Sequence, residues 1–310
     1  MSAICPAGPP KLMKPSFSQK RKASEKVGEV GGFIGAVVTD ARWMLRKSFT
    51  ARHAANTTLP DMALSSIPRL FWRGTLFAFS LVYDAWRYFR EVRGVAPEGE
   101  RAARAAWLHR CCQRTLRIMQ VHVAVRGPLP EGGLIAANHL SYLDIVALSA
   151  ALPCVFVSKM EVKSWPLFGV FAERSGTLFL DRGRRGAVSG VAGLMREVLA
   201  AGVPLIFFPE GTSTNGDALL PFKTSLFEPV AELGCPVTAA AITYASEHGS
   251  VRDEIHWWGP APLAPHLLKV FVNRRIDVTI RFGAMRPRTG DRKVIARELH
   301  DEVSALRTDP

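Results

Sequence analysis

The segment at residues 138–144 holds the residue types best suited to chemistry, an imidazole at His139 and a carboxylate at Asp144. The apolar run 134–137 before it predicts a buried strand, and Ser141 is the expected N-cap of the helix that follows. Asp144 then lies one helical turn further on and can reach one ring nitrogen. A carboxylate in that position fixes the tautomer and makes the other nitrogen a stronger base. The pair therefore predicts proton abstraction, with a surface histidine beside a helix-capping aspartate as the alternative.

A second polar turn, at residues 208–214, strengthens the chemical interpretation. Its sequence is Phe-Pro-Glu-Gly-Thr-Ser-Thr, and the apolar run 204–208 predicts a strand that leads into it. In α/β sheets, ligand chemistry collects at the carboxyl ends of strands. Two polar turns that each follow a nearly continuous apolar strand are therefore expected to share one cleft.

Four sequence blocks resemble those of the lysophosphatidic acid acyltransferase family of glycerolipid acyltransferases. In chain order they are Asn-His-x-Ser-x-x-Asp at 138–144, Gly-x-x-Phe-x-x-Arg at 176–182, Phe-Pro-Glu-Gly-Thr at 208–212 and Pro-Val at 236–237. The resemblance implies an α/β fold, a sandwich of a mixed, largely parallel sheet with helices on both faces. It also implies transfer of a fatty acyl group from an acyl thioester to the free hydroxyl of a lysolipid in membrane lipid biosynthesis.

The resemblance leaves the acceptor open between two lipids. Many members that act on phosphatidate precursors carry arginine after Glu-Gly-Thr, where this chain has Ser213. Arginine is the favoured bidentate partner of phosphate, so 1-acylglycerol-3-phosphate would lose one contact. The sequence around Ser213 is most similar to members that acylate lyso-ornithine lipid, which has no phosphate. The expected donor is acyl-CoA or acyl carrier protein, and no cofactor or metal is expected.

Acyl transfer to an alcohol assigns a role to each polar residue of the two turns. A lipid hydroxyl is a poor nucleophile near neutral pH, so His139 is the expected general base and Asp144 orients its ring. Glu210 is expected either to hold an acceptor hydroxyl or to order its turn. Main-chain N–H groups at Gly211 and Thr212 are candidate oxyanion donors, because glycine lets the main chain approach closely. The expected substrate contacts are Arg182 as the main anion contact, Lys159, Gly211, Thr212 and Ser213.

Two other function classes compete with the transferase. A lipid hydrolase could use the same dyad to activate water, but the sequence has no Gly-x-Ser-x-Gly nucleophile elbow. A non-catalytic lipid-binding protein could keep the fold, but it would be free to lose His139, Asp144 and Glu210, which are all present.

The excess positive charge lies ahead of these motifs. The 310 residues include 40 basic and 27 acidic ones, for a formal net charge of +13. Residues 1–130 hold 21 of the basic and 8 of the acidic residues, whereas residues 131–310 hold 19 of each. Such charge predicts contact with anionic membrane lipids, worth about 1 kcal/mol per Lys or Arg near the surface. No helix-turn-helix, RNA-binding or zinc signature accompanies it, so nucleic acid is not expected as a partner.

A strongly amphipathic helix is predicted at residues 68–91. Its uninterrupted apolar core, 74–83, is shorter than the ~20 residues that span a bilayer. We expect an interfacial helix at the cytoplasmic face of the inner membrane, with Trp72, Trp86 and the flanking arginines at headgroup depth. A spanning helix and a helix packed on the domain through its apolar face are the alternatives. The narrow polar stripe of this helix consists of Arg69, Arg73, Ser80, Asp84, Arg87 and Glu91.

The chain is expected to have three regions, a basic disordered arm at 1–66, a membrane-associated helical region at 67–119 and an acyltransferase domain at 120–310. Its five cysteines lack metal-ligand spacing and are expected as reduced thiols in a cytosolic compartment. The further predicted helices are 99–119, 142–151, 164–174, 186–201, 265–273 and 291–307. The predicted strands are 121–126, 133–137, 154–158, 177–181, 204–208, 236–244, 254–258 and 276–283.

Overall fold

The computed structural model describes residues 64–165, 167–180 and 187–308. The predicted basic arm, apart from residues 64–66, lies outside that part of the chain. The helices are α1 Ile67–Glu91, α2 Pro97–Met119, α3 Leu143–Ala151, α4 Phe168–Arg174, α5 Ala187–Ala200, α6 Glu228–Leu233, α7 Leu263–Val272 and α8 Arg292–Thr308. The strands are β1 Val121–Arg126, β2 Leu134–Ala137, β3 Val155–Lys159, β4 Leu178–Leu180, β5 Leu205–Phe207, β6 Pro236–Ser246, β7 Ile276–Phe282 and β8 Arg286–Pro287.

These strands form one mixed sheet in the order β1-β7-β6-β2-β5-β3-β4, with β8 paired to the start of β6. Strand β6 runs antiparallel to β7 and β8, and the other pairs are parallel. All four residues of the central strand β2 are buried. A continuous apolar run of this kind suits a parallel strand that is covered on both faces. The expected α/β fold with a largely parallel mixed sheet is confirmed.

Helices cover both faces of the sheet. On one face, Ile135 and Ala137 of β2 join a core that also holds side chains of α1, α2, α3 and α7. On the other face, Leu134 and Ala136 join a core formed with α5, α6 and α8. Successive side chains of a strand point to opposite faces, so the short strand β2 anchors both layers. The end of β2 is thereby fixed inside the domain.

Helix α1 packs on the domain through its polar stripe. Arg73 is only 7% exposed, and its guanidinium donates to the carbonyl oxygens of Phe271 and Asn273 at the C-terminal end of α7. Asp84 is buried in an ion pair with Arg114 of α2. The last carbonyls of a helix have no partner within it, so a buried arginine is well placed there. The expectation that Arg73 lies at headgroup depth is therefore wrong, because its charge is used inside the fold.

Part of the apolar face of α1 points outward. Phe71, Phe79 and Trp72 are 76%, 70% and 63% exposed, and Arg90 stacks over the exposed ring of Trp86. Part of the wide apolar face packs on the domain, as that alternative predicts, through Leu70, Phe77 and Phe89, and the rest of it is exposed. None of the helices in the three described ranges combines the length and the hydropathy needed to cross a bilayer.

Two local predictions differ from the structure. Residues 254–258 were expected to form a strand, but Val251–Ile255 is a π-helical turn and the chain then passes the His139 turn. There the Trp257 N–H donates to the Leu140 carbonyl at 2.9 Å. The segment 256–258, whose alternating apolar residues suggested a strand, therefore bonds to a loop. Helix α6 was not predicted, because six residues are too few to reveal a helical period.

Candidate active site

Two adjacent parallel strands bring the predicted polar turns together. Leu134 of β2 lies beside Leu205 of β5, so the carboxyl ends of both strands meet at one edge of the sheet. His139 follows β2 and Glu210 follows β5, while β6 flanks β2 on its other side. The two turns are in direct contact, as the sequence predicts.

The imidazole of His139 and the carboxylate of Asp144 form a hydrogen-bonded pair. Nδ1 of His139 lies 2.7 Å from Oδ2 of Asp144. The same oxygen accepts hydrogen bonds from the N–H groups of Leu140 at 2.6 Å and Ser141 at 2.9 Å. Because a carboxylate only accepts, Nδ1 carries the proton and the lone pair of the neutral ring is on Nε2. Among the described residues, Nε2 has no hydrogen-bond partner, so it can accept a proton from a ligand.

The first turn of α3 is organised by Asp144 and not by Ser141. The Asp144 side chain receives the N–H groups that precede the helix, and its own N–H donates to the Ser141 carbonyl at 3.1 Å. The Ser141 hydroxyl is buried without a hydrogen-bond partner in the part of the chain that the structure describes. The predicted capping role of Ser141 is therefore wrong, because the Asp144 N–H that a cap at this position would bind donates to the Ser141 main-chain carbonyl instead.

An aromatic ring fixes the plane of the His139 imidazole. Phe208, which follows β5, stacks on it with ring centroids 4.0 Å apart and an interplanar angle of 14°. Phe156 of β3 stacks in turn on Phe208 at 6.2 Å. The ring of His139 is thus held by Asp144 at its edge and by Phe208 on its face.

Both carboxylate oxygens of Glu210 are engaged by the main chain. Oε1 accepts a hydrogen bond from the His139 N–H at 2.7 Å, and Oε2 accepts one from the Leu220 N–H at 2.9 Å. The residue is 2% exposed, and this burial raises the pKa of Glu210 above its ordinary value, while the two N–H groups oppose the rise. Of the two roles expected for Glu210, the geometry fits the ordering of the turn.

The turn at residues 210–214 is tied to His139 at both ends. Beyond the Glu210 contact, the Thr214 N–H donates to the His139 carbonyl at 3.0 Å. Gly211 has φ +73°, a conformation that favours glycine, and its N–H donates to the Phe208 carbonyl at 3.0 Å. That N–H closes its own turn, which leaves Thr212 as the remaining candidate oxyanion donor of the predicted pair.

Basic side chains lie at the same edge of the sheet. A β-carbon at residue 211 would be 2.8 Å from Lys223 Nζ, so the ammonium crosses the Gly211 turn. Lys159 ends β3, which is the neighbour of β5. Arg182, the expected anion contact, lies outside the described residues. The sequence alone assigns no role to Lys223.

Asn138 joins the His139 turn to strand β6. Its Oδ1 accepts a hydrogen bond from the Ile242 N–H at 2.7 Å, and its Nδ2 donates to the Ile242 carbonyl at 3.0 Å. The side-chain amide thus continues the β2–β6 ladder beyond the end of β2. This role was missed, although a polar residue directly after a buried apolar run is a signal for it.

Tyr244 is a second residue that the sequence did not reveal. Its hydroxyl donates to Oδ1 of Asp144 at 2.6 Å. Burial, followed by the charge of Asp144, raises the pKa of Tyr244 well above its ordinary value, so the hydroxyl stays protonated. The two residues are 100 positions apart, and no local pattern links them.

An apolar cavity of about 130 Å³ lies beside the site. Its walls include Phe77 of α1, Leu108 of α2, Val146 of α3 and Phe171 of α4. Tyr142, from the turn that carries His139, also lines it. The cavity therefore reaches the turn that carries His139 and extends among the helices on one face of the sheet.

Behind this wall, Tyr142 contacts a buried histidine. Its hydroxyl donates to Nδ1 of His266 at 3.1 Å, and the His266 Nε2–H donates to the His256 carbonyl at 3.1 Å. Burial lowers the pKa of His266 to about 4. His266 is therefore neutral at physiological pH and serves as a fixed part of the packing.

Comparison with known proteins places this chain among acyltransferases. The family model described as Acyltransferase matches residues 119–243. The lyso-ornithine lipid O-acyltransferase of Brucella abortus is 37% identical over 206 residues, which cover 61% of this chain and 77% of that protein. The lyso-ornithine lipid O-acyltransferase of Pseudomonas aeruginosa is 35% identical over 237 residues, or 74% and 88% of the two chains.

Two further similarities concern proteins whose names give a different acceptor, 1-acyl-sn-glycerol-3-phosphate. The 1-acyl-sn-glycerol-3-phosphate acyltransferase of Neisseria meningitidis serogroup B is 29% identical over 233 residues, which cover 74% of this chain and 89% of that one. The crystal structure of the 1-acyl-sn-glycerophosphate acyltransferase PlsC from Thermotoga maritima aligns with a TM-score of 0.56 at 18% identity, over 80% of this chain and 97% of that one. This last similarity shows a shared fold.

Proposed function

This chain belongs to the acyltransferase family, and on that premise we propose that it moves a fatty acyl group from an acyl thioester to the free hydroxyl of a lysolipid in membrane lipid biosynthesis. The observation that carries the proposal is the 2.7 Å hydrogen bond between His139 Nδ1 and Asp144 Oδ2, at the carboxyl edge of the sheet. Relatives that match most of this chain act, by their names, on lysolipids.

In the proposed reaction, His139 is the general base. Its Nε2 removes the proton of the lipid hydroxyl as the oxygen attacks the thioester carbonyl carbon. Asp144 holds the ring and stabilises the imidazolium that forms. When the tetrahedral intermediate collapses, the carbon–sulfur bond breaks and the imidazolium returns its proton to the departing thiolate. The dyad is thereby restored without a covalent acyl-enzyme.

The turn at residues 210–214 assists this chemistry through its main chain. Thr212 N–H is the candidate donor to the oxyanion, and Glu210 sets its position by bonding the N–H groups of His139 and Leu220. Preorganised donors of this kind contribute most where charge develops in the transition state. A hydrolase would need the same donors, but the family and its named relatives favour a lipid acceptor over water.

The apolar cavity is the proposed compartment for the fatty acyl chain. It is lined almost wholly by apolar side chains and begins at Tyr142, in the same turn as the base. An acyl chain placed there would leave its thioester at the carboxyl edge of the sheet. The thioester is expected to arrive as acyl-CoA or as acyl carrier protein, and both donors carry anionic groups. Lys159, Lys223 and Arg182 are the basic residues proposed to bind these groups.

For the acceptor, 1-acylglycerol-3-phosphate is proposed on the breadth of the resemblance, and lyso-ornithine lipid is the second candidate. Ser213 favours the second, because it offers one neutral donor where an arginine would bind phosphate through two charge-assisted bonds. The sequence identity to lyso-ornithine lipid O-acyltransferases from two bacteria also supports lyso-ornithine lipid as the acceptor.

We further propose that α1 attaches the protein to the membrane, at the cytoplasmic face of the inner membrane. The outward face presents Phe71, Trp72 and Phe79, and Arg90 lies over Trp86 at its rim. Exposed contiguous apolar surface of this kind marks an interaction site, and aromatic rings suit headgroup depth. In this scheme residues 1–66 form a basic arm, 67–119 the membrane-associated region and 120–310 the acyltransferase domain.

The test is a transfer assay with the full chain in detergent–lipid micelles. The donors are radiolabelled acyl-CoA and acyl carrier protein, and the acceptors are 1-acylglycerol-3-phosphate and lyso-ornithine lipid, separately and in competition. We expect acceptor-dependent formation of a diacyl product and little release of free fatty acid. Acceptor-independent release of fatty acid would instead identify a hydrolase, and the absence of both products would support a binding protein.

A further inference from the structure

The Asp144 carboxylate is fully buried and engaged on both oxygens. Oδ2 accepts from His139 Nδ1–H and from the N–H groups of Leu140 and Ser141. Oδ1 accepts from the Tyr244 hydroxyl at 2.6 Å, and within the described residues no other donor reaches it. A buried carboxylate oxygen without a donor is strongly unfavourable, so Tyr244 completes the hydrogen bonding of the Asp144 carboxylate.

We infer that Tyr244 is a positioning residue of the acyl transfer, which orients the Asp144 carboxylate toward His139 and moderates its basicity through the Oδ1 hydrogen bond. The inference rests on the proposed transferase reaction. Tyr244 acts through Asp144 and needs no contact with the reacting atoms.

The fold holds the Tyr244 ring in place from two directions. Asn138 bonds both main-chain groups of Ile242, which fixes β6 against the turn that carries His139. Tyr244 lies two residues further along β6, and alternation of the strand places it on the same face as Ile242. On its other side the ring meets His256 with centroids 5.8 Å apart, and the His256 Nδ1–H donates to the Asn215 carbonyl at 2.7 Å.

The hydroxyl tunes the dyad in a predictable direction. Without it, Asp144 Oδ1 loses its donor and the carboxylate becomes a stronger base. The His139–Asp144 pair then retains a proton to higher pH, whichever of the two carries it. As the pH falls, the variant without this hydroxyl would therefore lose its active form at a higher pH than the wild type does. Among the described residues, the other titratable or charged groups around the pair are Glu210 at the His139 N–H, His256 beside Tyr244, Lys223 over the Gly211 turn and Arg307 at the Gly216 carbonyl.

The test is the pH profile of kcat/KM for Tyr244→Phe in the full chain. We expect the acid limb to move up by about one pH unit, which corresponds to a tenfold change in proton affinity. On the plateau, kcat should fall about tenfold while KM stays within about twofold, as for an interaction made mainly in the transition state. Tyr88→Phe is the matched control, since it removes the hydroxyl of a buried tyrosine of α1 that packs on Trp107 and not on Asp144. Its acid limb should coincide with that of the wild type.

Two further variants keep the test decisive if Tyr244→Phe does not fold. Replacement of Tyr244 alone by 3-fluorotyrosine preserves the shape and makes the hydroxyl a stronger donor, so the acid limb should move to lower pH. In an Asp144→Asn background, Tyr244→Phe should cause no further loss of rate, because its effect passes through that carboxylate. Unshifted acid limbs in a folded Tyr244→Phe or in the fluorinated variant would overturn the inference. Failure of the wild type to transfer acyl groups would instead refute the proposed function.

Discussion

Glu210 is bonded to the main chain of His139, with Oε1 2.7 Å from the N–H of the residue that carries the imidazole. The acidic residue of the second turn therefore acts on the base through the backbone, and its other oxygen holds the Leu220 N–H. Glu210 is a buried brace between the two turns. The Phe-Pro-Glu-Gly-Thr block is thus part of the site and also holds the main chain of the Asn-His-x-Ser-x-x-Asp block in place.

Glu210→Gln should destabilise the fold and slow the reaction. The amide turns a donor toward one of the two N–H groups that the carboxylate bonds. Bonds to charged groups contribute about 1.5–3 kcal/mol each, so we expect a loss of roughly 2–4 kcal/mol in the free energy of unfolding. Thermal unfolding in detergent measures it. Glu228→Gln, which affects an exposed ion pair with Arg292, should change stability by less than about 1 kcal/mol. Equal effects of the two substitutions would contradict the bracing role.

His139→Ala should leave a folded protein with almost no transferase activity. Loss of a general base costs about 10²–10⁴ in rate, or roughly 3–5 kcal/mol of barrier. Asp144→Asn should also reduce kcat severely, because it removes the charge that stabilises the imidazolium. The exposed His248 supplies the control, since His248→Ala should retain full activity. A His139→Ala rate within about threefold of the wild type would exclude the proposed base.

The outer face of α1 should control membrane binding without supporting the fold. Phe71→Ser combined with Phe79→Ser removes exposed apolar surface, so binding to vesicles should weaken while the melting temperature stays within error. Arg73→Ala should do the reverse, since that guanidinium is buried against the carbonyls of α7. Vesicle flotation and thermal unfolding of the same samples separate the two effects. A fall in melting temperature for the phenylalanine variant alone would show that this face is packed in solution.

High salt provides an independent check on the same face. Screening weakens attraction between arginines and anionic lipids but leaves the burial of apolar side chains intact. Wild-type binding should therefore fall only in part when the ionic strength is raised. Complete release at high salt would assign the membrane contact to charge alone.

Ser213→Arg should shift acceptor preference toward the lipid that carries phosphate. A guanidinium pairs with phosphate through two charge-assisted bonds, each worth ~1.5–3 kcal/mol, so the ratio of kcat/KM values should move about tenfold or more. Competition between 1-acylglycerol-3-phosphate and lyso-ornithine lipid in one reaction measures this ratio. Ser213→Lys is a useful companion, since it adds charge without the bidentate geometry. An unchanged ratio in both variants would show that residue 213 does not contact the acceptor headgroup.

His266 should make stability depend on pH in a defined window. Its folded pKa of about 4 lies below the ordinary value of 6.5, so its contribution is complete above about 6.5 and is lost as the pH falls toward 4. Over this window the effect should be on the order of 2–3 kcal/mol. His266→Gln, which cannot titrate, should flatten the dependence of the melting temperature on pH between these values. Parallel curves for the two proteins would refute this assignment.

The sequence was a good guide wherever short-range patterns decide the structure. Continuous apolar runs located β2 and β5, and the polar turns after them met because parallel neighbours end at one edge. The spacing of His139 and Asp144 within one helical turn was enough to predict their contact. These features depend on residues within a few positions of each other, so periodicity and spacing reveal them.

The errors arise where tertiary partners decide. The sequence shows the polar and apolar faces of α1, but the pattern does not say which face contacts the domain. Arg73 is buried because it bonds to carbonyls at the end of α7, some 200 positions away. The contact between Tyr244 and Asp144 was not predicted for the same reason, since the β2–β6 pairing brings the two residues together. Residues 254–258 alternate like a strand, yet their hydrogen-bond partner is the Leu140 loop.

The amide of Asn138 also sets an order of events during protein synthesis. Its partner Ile242 is 104 positions later in the chain, so the turn bearing His139 cannot take its final shape until β6 has left the ribosome. A nascent or truncated chain that ends before residue 242 contains His139, Asp144 and Glu210 but lacks the strand that aligns them. Pairing across so long a separation is slow to form. Acquisition of activity is therefore coupled to the late stages of translation, when most of the domain has already been synthesised.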